Sequence, residues 1–524
     1  NRITSYLNMV NKIALSRYEE FISSTKEKFD EIKTYFNMLP DTSDIKHEFN
    51  KLIQDTVSFE DLSSWLKNNL SIGNIDVNIM TKVDKTNYFK KEKLPSEYND
   101  AHAGLRGYAN SDLESSVIFS AGMNPRLYGY IAQFDDFFPD KEGYIKKKII
   151  LKVSDFRSAI IQGKFLAKKG LWVSEYRIES GLNCGGHAFA TEGFLMGPIL
   201  AEFRDRRQEL IDDTFMICKS ALEVQRKTIP SKKLTIKITA QGGVATSEEH
   251  NFLINHYNLD TVGWGTPFLL VPEATTVDQD TRKQLIKAKE KDLYLSNISP
   301  LGVPFNSLRN SSKDIERFQK IAEGKPGSSC PRKFLALSNE YGTEGVCTAS
   351  RLFQYNKIKE QGISDEITEK TCLCMGLAAT AVINYKVDTR ESKGVSICPG
   401  PNMAYFSKEL SLSDMVYHIY NDMKEVVRID RPNMFINELG MYLKYFSEKI
   451  KEHKENWTIK SAKQLNTFAD NMNHGLLYYQ EMFSSIGEYF SNKKESIDIA
   501  LDDAMNSLNE MRSEISFLIN QNQK

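Results

Sequence analysis

Three stretches of this chain run apolar and then break into glycine: Glu179-Ser-Gly-Leu-Asn-Cys-Gly-Gly-His187, Ile238-Thr-Ala-Gln-Gly-Gly-Val244 and Val262-Gly-Trp-Gly-Thr-Pro-Phe268. Glycine has no Cβ, so at Gly242, Gly243, Gly263 and Gly265 a ligand can approach the backbone closely, and the N–H groups there can hold an anionic oxygen. Gln241 precedes the first pair and Thr266 adds a hydroxyl to the second. This is the chemistry of a phosphate cradle. His187 follows Gly185 and Gly186 directly. An imidazole titrates near pH ~6.5 and, held neutral, can take a proton from a carbon acid. The bland alternatives are tight strand-to-helix turns with no ligand, and a core histidine.

Such residues need strands to aim them. Short apolar runs at 75–80, 116–121, 148–153, 171–178, 234–240 and 261–268 predict six strands separated by helix-length intervals, the pattern of a parallel barrel or open sheet. The stretch from Gly197 to about Gln225 has helical periodicity and predicts a crossover helix. Residues 1–70 read as a helical leader, with Leu39-Pro40-Asp41 breaking one helix before the next. Residues 71–290 then form the barrel core, 291–410 an irregular cysteine-containing segment, and 411–524 a second helical region.

Composition excludes several classes. With 68 basic and 69 acidic side chains in 524 residues, the net charge of −1 supplies no global field for nucleic acid. No apolar run reaches the ~18 residues of a membrane span, and residues 1–30 lack a signal-peptide core. Seven scattered cysteines argue for reduced thiols, and hence a cytoplasmic protein.

In these motifs the chain resembles the nitronate monooxygenase family, flavin-dependent (β/α)8 TIM barrels that also include the flavin-type enoyl-acyl-carrier-protein reductases. Gly185-Gly186-His187, Gly242-Gly243 and Gly265-Thr266-Pro267-Phe268 are similar to the family's turns after the sixth, seventh and eighth strands. Asp76-Val-Asn78-Ile, Val117 to Gly122 and Ile149 to Val153 look like its third, fourth and fifth. The resemblance implies FMN as cofactor. It makes His187 the base or substrate-polarising group for a small-molecule substrate, puts Gly242, Gly243, Gly265 and Thr266 on the phosphate, and places Asn78, Lys152, Gly185 and Gly186 at the ring system, with Gly122 also cofactor-binding and Lys152 also offered as a catalytic charge. It leaves open a monooxygenase, an NAD(P)H-dependent reductase of enoyl or quinone type, and a flavin-binding scaffold that docks a partner through its helices. The family's first two strands have no counterpart in residues 1–70, so the true N-terminus is expected to lie upstream.

Outside the resemblance, Cys330, Cys347, Cys372, Cys374 and Cys398 are spaced by 17, 25, 2 and 24 residues. Cysteine beside proline or glycine in irregular chain suits an iron–sulfur cluster, although the spacings match no compact ferredoxin or zinc pattern. Buried unligated thiols or a redox-active thiol fit the same residues. The aromatic C-terminal helices offer a lid, a homo-oligomer surface or simple packing.

Overall fold

The computed structural model describes residues 2–522 apart from positions 24, 56, 121, 191, 390–392, 424 and 456. Six parallel strands form its centre: β1 (Val77–Met80), β2 (Ser116–Ser120), β3 (Lys148–Val153), β4 (Val173–Glu179), β5 (Lys237–Gln241) and β6 (Thr261–Gly263). Their spatial order is their order in sequence, so each pairs with the next. All connections therefore wind in one sense, and right-handed crossovers stack the helices on a single face. The expected strands are present, several one to three residues shorter at an end, and expected position 121 lies outside the described residues. The sixth ends at Gly263, because Pro267 cannot donate to a ladder and the chain turns into a short 3-10 segment at Thr266–Leu270. Among the described residues the sheet is open and six-stranded, not a closed barrel of eight.

Alternation along the strands sorts two faces. Val117, Phe119, Ile149, Leu151, Tyr176, Ile178, Ile238 and Ala240 share one core with Leu105, Leu127, Leu166, Phe203 and Phe252 of the connecting helices. Glu175, Arg177 and Glu179 point the other way, as do Lys152, Thr239 and Gln241, and this face carries hydrogen-bonded charges. Caps set where helices begin. Asp155 Oδ1 accepts from Ser158 N at 2.6 Å to start Phe156–Ala167, and Thr246 Oγ1 accepts from Glu249 N at 3.2 Å to start Ser247–Tyr257. The expected single crossover helix is two, Met196–Asp205 and Arg207–Val224, interrupted at Arg206.

The leader forms four helices, Arg2–Ser23, Phe29–Met38, Asp44–Gln54 and Phe59–Asn69, around a small core of Ile32, Phe36, Phe49, Leu62 and Leu66. The segment expected to be irregular contains an antiparallel pair, β7 (Leu293–Ser296) and β8 (Phe305–Leu308), and helices such as Ser312–Ala322, Arg351–Gln361 and Leu373–Asn384. The C-terminal helices Met434–Glu455, Ile459–Ser485 and Lys494–Asn522 bury Phe446, Tyr479 and Phe483, with Phe490 from the connection between the last two, in the same core as the sheet. Among the described residues no helix is long and apolar enough to cross a membrane.

Candidate functional site

A cavity of about 330 Å³ opens at the carboxyl ends of β3 to β6. Lys152 from β3, Glu179 from β4 and Gln241 from β5 line its strand side. Gly185, Gly242, Gly243, Gly263, Gly265 and Thr266 supply the loops, so most residues singled out by type and spacing meet here.

Gly242 and Gly243 have φ of +120° and +81°, a region that side-chain-bearing residues avoid. A Cβ on Gly243 would stand 2.1 Å from Asn183 Nδ2, and one on Gly242 2.8 Å from Cys184 Sγ. Packing and conformation thus both require glycine. At Gly265 a Cβ would meet nothing within 4 Å, so there the backbone borders open space.

Polar side chains complete the wall. Lys152 Nζ donates to Glu179 Oε1 at 2.8 Å and Gln241 Nε2 donates to the same oxygen at 2.7 Å. The ammonium expected to act on a ligand is therefore already neutralised. Glu179, left unassigned by sequence, is the acceptor that ties β3, β4 and β5 together. Asn183 is 2% exposed, yet neither Oδ1 nor Nδ2 makes a hydrogen bond among the described residues. A buried amide with no partner costs about 1–3 kcal/mol, and the Asn183 side chain is packed behind Gly243 at the cavity wall.

Two supports hold these loops from behind. Glu438, fully enclosed, accepts from Ser180 Oγ and, at 2.9 Å, from Met196 N, while Ser180 Oγ accepts from Asn183 N at 3.2 Å. Burial pushes the Glu438 carboxyl up to about 7, against the pull of its donors. Arg431 binds the Gly243 carbonyl and, through Nε, Asn402 Oδ1 at 2.8 Å, and Asn402 Nδ2 donates to Val244 O at 3.1 Å. The helix start after β5 is occupied internally, because Ser247 N and Glu248 N both donate to Asp422.

Other expected residues lie elsewhere. His187 does not line the cavity. Its Nε2 shares a 2.7 Å hydrogen bond with Ser299 Oγ, and its ring packs edge-on to Phe305 with centroids 4.9 Å apart. Burial lowers its pKa, which favours the uncharged imidazole. Gly186 is bound through its carbonyl to Asn306 N at 2.8 Å and through its N–H to Cys398 O at 3.3 Å, which turns it away from the cavity. Asn78 is exposed on β1, with β2 between it and Lys152 on β3, and Gly122, φ +97°, sits against the Lys82 side chain. Neither reaches the cavity, because both belong to the strands farthest from β5 and β6.

Asn183, Trp264 and Asn402 line the cavity without having been assigned a role by sequence. Asn183 and Trp264 sat inside the glycine motifs, while Asn402 follows Cys398-Pro-Gly-Pro, a rigid turn that had been read only for its cysteine. The five cysteines do not form one set. Cys398 packs against Leu373 and Phe305, and burial raises its thiol to about 11. Among the described residues no group of three or more histidine, cysteine or carboxylate side chains is placed around a single metal ion.

No family model matches the chain, and no curated protein matches it. Among solved structures it is similar to the enoyl reductase domain of MlnA from the macrolactin biosynthesis cluster of Bacillus amyloliquefaciens, at 14% identity over 80% of this chain and 88% of that one, with a TM-score of 0.34. A likeness of that degree does not bear on what the cavity binds.

Proposed function

We propose that this chain is an FMN-dependent oxidoreductase of the nitronate monooxygenase-like type, its sheet a six-strand sector of a (β/α)8 barrel. The orphaned Asn183 amide beside two left-handed glycines, in a cavity at the strands' carboxyl ends, carries the reading. The donor set fits FMN. Backbone N–H groups at Gly242, Gly243, Gly265 and Thr266, with the Thr266 hydroxyl, would hold the phosphate, and Asn183, Gly185, Gln241 and the Lys152–Glu179 pair would face the ring system. Bound there, FMN would supply acceptance and return of one or two electrons.

The chain's own residues do the rest. Gly185 brings backbone to the cavity wall, and His187, outside that wall with its Nε2 on Ser299, would take the substrate proton at Nδ1. The NAD(P)H-dependent reductase version is favoured by one observation. A second cavity of about 560 Å³, lined by Tyr294, Arg309, Tyr405 and Tyr445, lies behind Leu182 and Asn306, and Asn306 Nδ2 donates to Cys184 O at 2.6 Å. Aromatic faces and a guanidinium suit a dinucleotide.

FMN titration tests the reading, followed by turnover with alkyl nitronates under oxygen and with NADPH plus an enoyl thioester. His187→Ala is expected to keep FMN and lose turnover at least a hundredfold. Failure of the wild-type chain to bind FMN would overturn the proposal.

A further inference from the structure

The second cavity, about 560 Å³, has one wall that packing within the protein does not account for. Helix Met434–Glu455 turns a single face to it, with Asn437, Gly440, Met441, Lys444 and Glu448 at intervals of one, three and four residues. Glycine inside a helix costs about 1 kcal/mol relative to alanine. Nothing on the protein side requires it at position 440, because a Cβ there would meet no atom within 4 Å. At Gly475 on the neighbouring helix Ile459–Ser485, by contrast, a Cβ would stand 2.7 Å from Leu195 Cδ1, so packing demands that glycine. Gly440 leaves helix backbone bare to the cavity, and a flat group can lie against it.

The other walls suit a ring. β7 brings Leu293, Tyr294 and Leu295, and Tyr405 and Tyr445 add two further aromatic faces over a buried floor of Leu182 and Asn306. An aromatic side chain stacks on any nucleobase, at about 1–3 kcal/mol per base. The charges stand at the exposed rim. Arg309, directly after β8, lies with its guanidinium carbon 4.0 Å from the Tyr294 ring centroid and gives Nε to Lys291 O at 3.1 Å. Neither Arg309 nor Lys444 has an ion-pair partner among the described residues. Glu290 on the same rim is already bound by Arg428 Nη1 at 3.2 Å, so two cations face Glu448 alone. That balance favours an anionic group, and a carboxylate beside it can accept from a sugar hydroxyl.

We propose that the second cavity binds a nucleoside phosphate, its base against the Gly440 backbone and the tyrosine rings and its phosphate between Arg309 and Lys444. The inference rests on the reading of this cavity as a nucleotide site and is independent of FMN. A free mononucleotide and one half of a dinucleotide present the same chemistry.

Calorimetric titration of the whole chain with AMP, NADH and NADPH, as purified and again after FMN is added, tests this. AMP is expected to bind. Gly440→Leu fills the open space and is expected to weaken AMP binding by about tenfold or more, with melting temperature and FMN affinity at their wild-type values. Lys444→Gln is expected to weaken it about two- to fivefold and to reduce its dependence on salt. Lys444 is exposed, so this variant tests the site even where Gly440→Leu does not fold. Dinucleotide binding with the same loss in Gly440→Leu identifies half of a dinucleotide, and AMP binding without either dinucleotide identifies a free nucleotide; both uphold the site. Retained AMP binding in a chain that takes no FMN upholds it too and sinks the flavin reading alone. No binding of any of the three to the wild-type chain overturns the proposal, as does binding that Gly440→Leu and Lys444→Gln both leave unchanged.

Discussion

Arg431 Nη1 lies 2.7 Å from Glu249 Oε1, and the two side chains are 0% and 2% exposed. The pair joins the loop before the helix Met434–Glu455 to the helix after β5, and Arg431 also holds the Gly243 carbonyl. Glu249 in turn accepts from Met434 N at 2.8 Å and Ala245 N at 2.9 Å. The Gly243 turn is thus set by a charge nearly two hundred residues away in sequence.

Breaking that pair strands a buried charge. Arg431→Leu or Glu249→Gln is expected to destabilise by about 3–5 kcal/mol, read as a lower urea midpoint, while the double change to Leu and Leu recovers part of the loss. Single variants within about 1 kcal/mol of wild type would refute the pair's structural role.

Glycines 243 and 265 are expected to separate folding from binding. Gly243→Ala clashes with Asn183 at a left-handed position and lowers both stability and FMN affinity. Gly265→Ala has room in the protein alone, so its melting temperature stays near wild type while FMN affinity falls at least tenfold. Equal FMN affinity in Gly265→Ala and wild type would place the ligand elsewhere.

Asn183→Leu removes two buried polar atoms that lack partners. The ligand-free protein is expected to be as stable as wild type or more so, while FMN binding weakens by about 1–3 kcal/mol, or roughly ten- to a hundredfold. Calorimetric titration of both proteins checks this, and unchanged affinity counts against an Asn183–ligand contact.

Glu438 sets a pH dependence. Its folded pKa of about 7 exceeds the ordinary 4.5, so between these values the folded state binds more protons than the unfolded one. The stabilisation is complete below about pH 4.5 and is lost as pH rises through about 7, a change of order 3 kcal/mol. Urea midpoints from pH 5 to 8 are expected to decline in wild type and to decline less in Glu438→Gln. Parallel curves would exclude Glu438 as the source.

Much of this was legible in advance. Strand positions followed from apolar runs closed by glycine, because strand length and backbone freedom are local properties. The cavity loops at Gly242, Gly243, Gly265 and Thr266 were legible for the same reason. The place of His187 was not legible from adjacency: one residue earlier, Gly186 is bonded on both sides to Asn306 and Cys398, and the chain leaves the cavity wall. Asn78 and Gly122 were tied to the site by resemblance alone, and the sheet order sets them at its far side.

By itself the sequence determined where the chain could turn without a Cβ, which faces of its helices were apolar, and that its cysteines stood in turn-rich chain. Only the tertiary structure decided that Asn183 is walled in without partners among the described residues, and that Asn402 and Arg431 close the Gly243 turn. The first set depends on residue type and its immediate neighbours. The second depends on burial and on contacts between residues far apart in the chain, which no local spacing encodes.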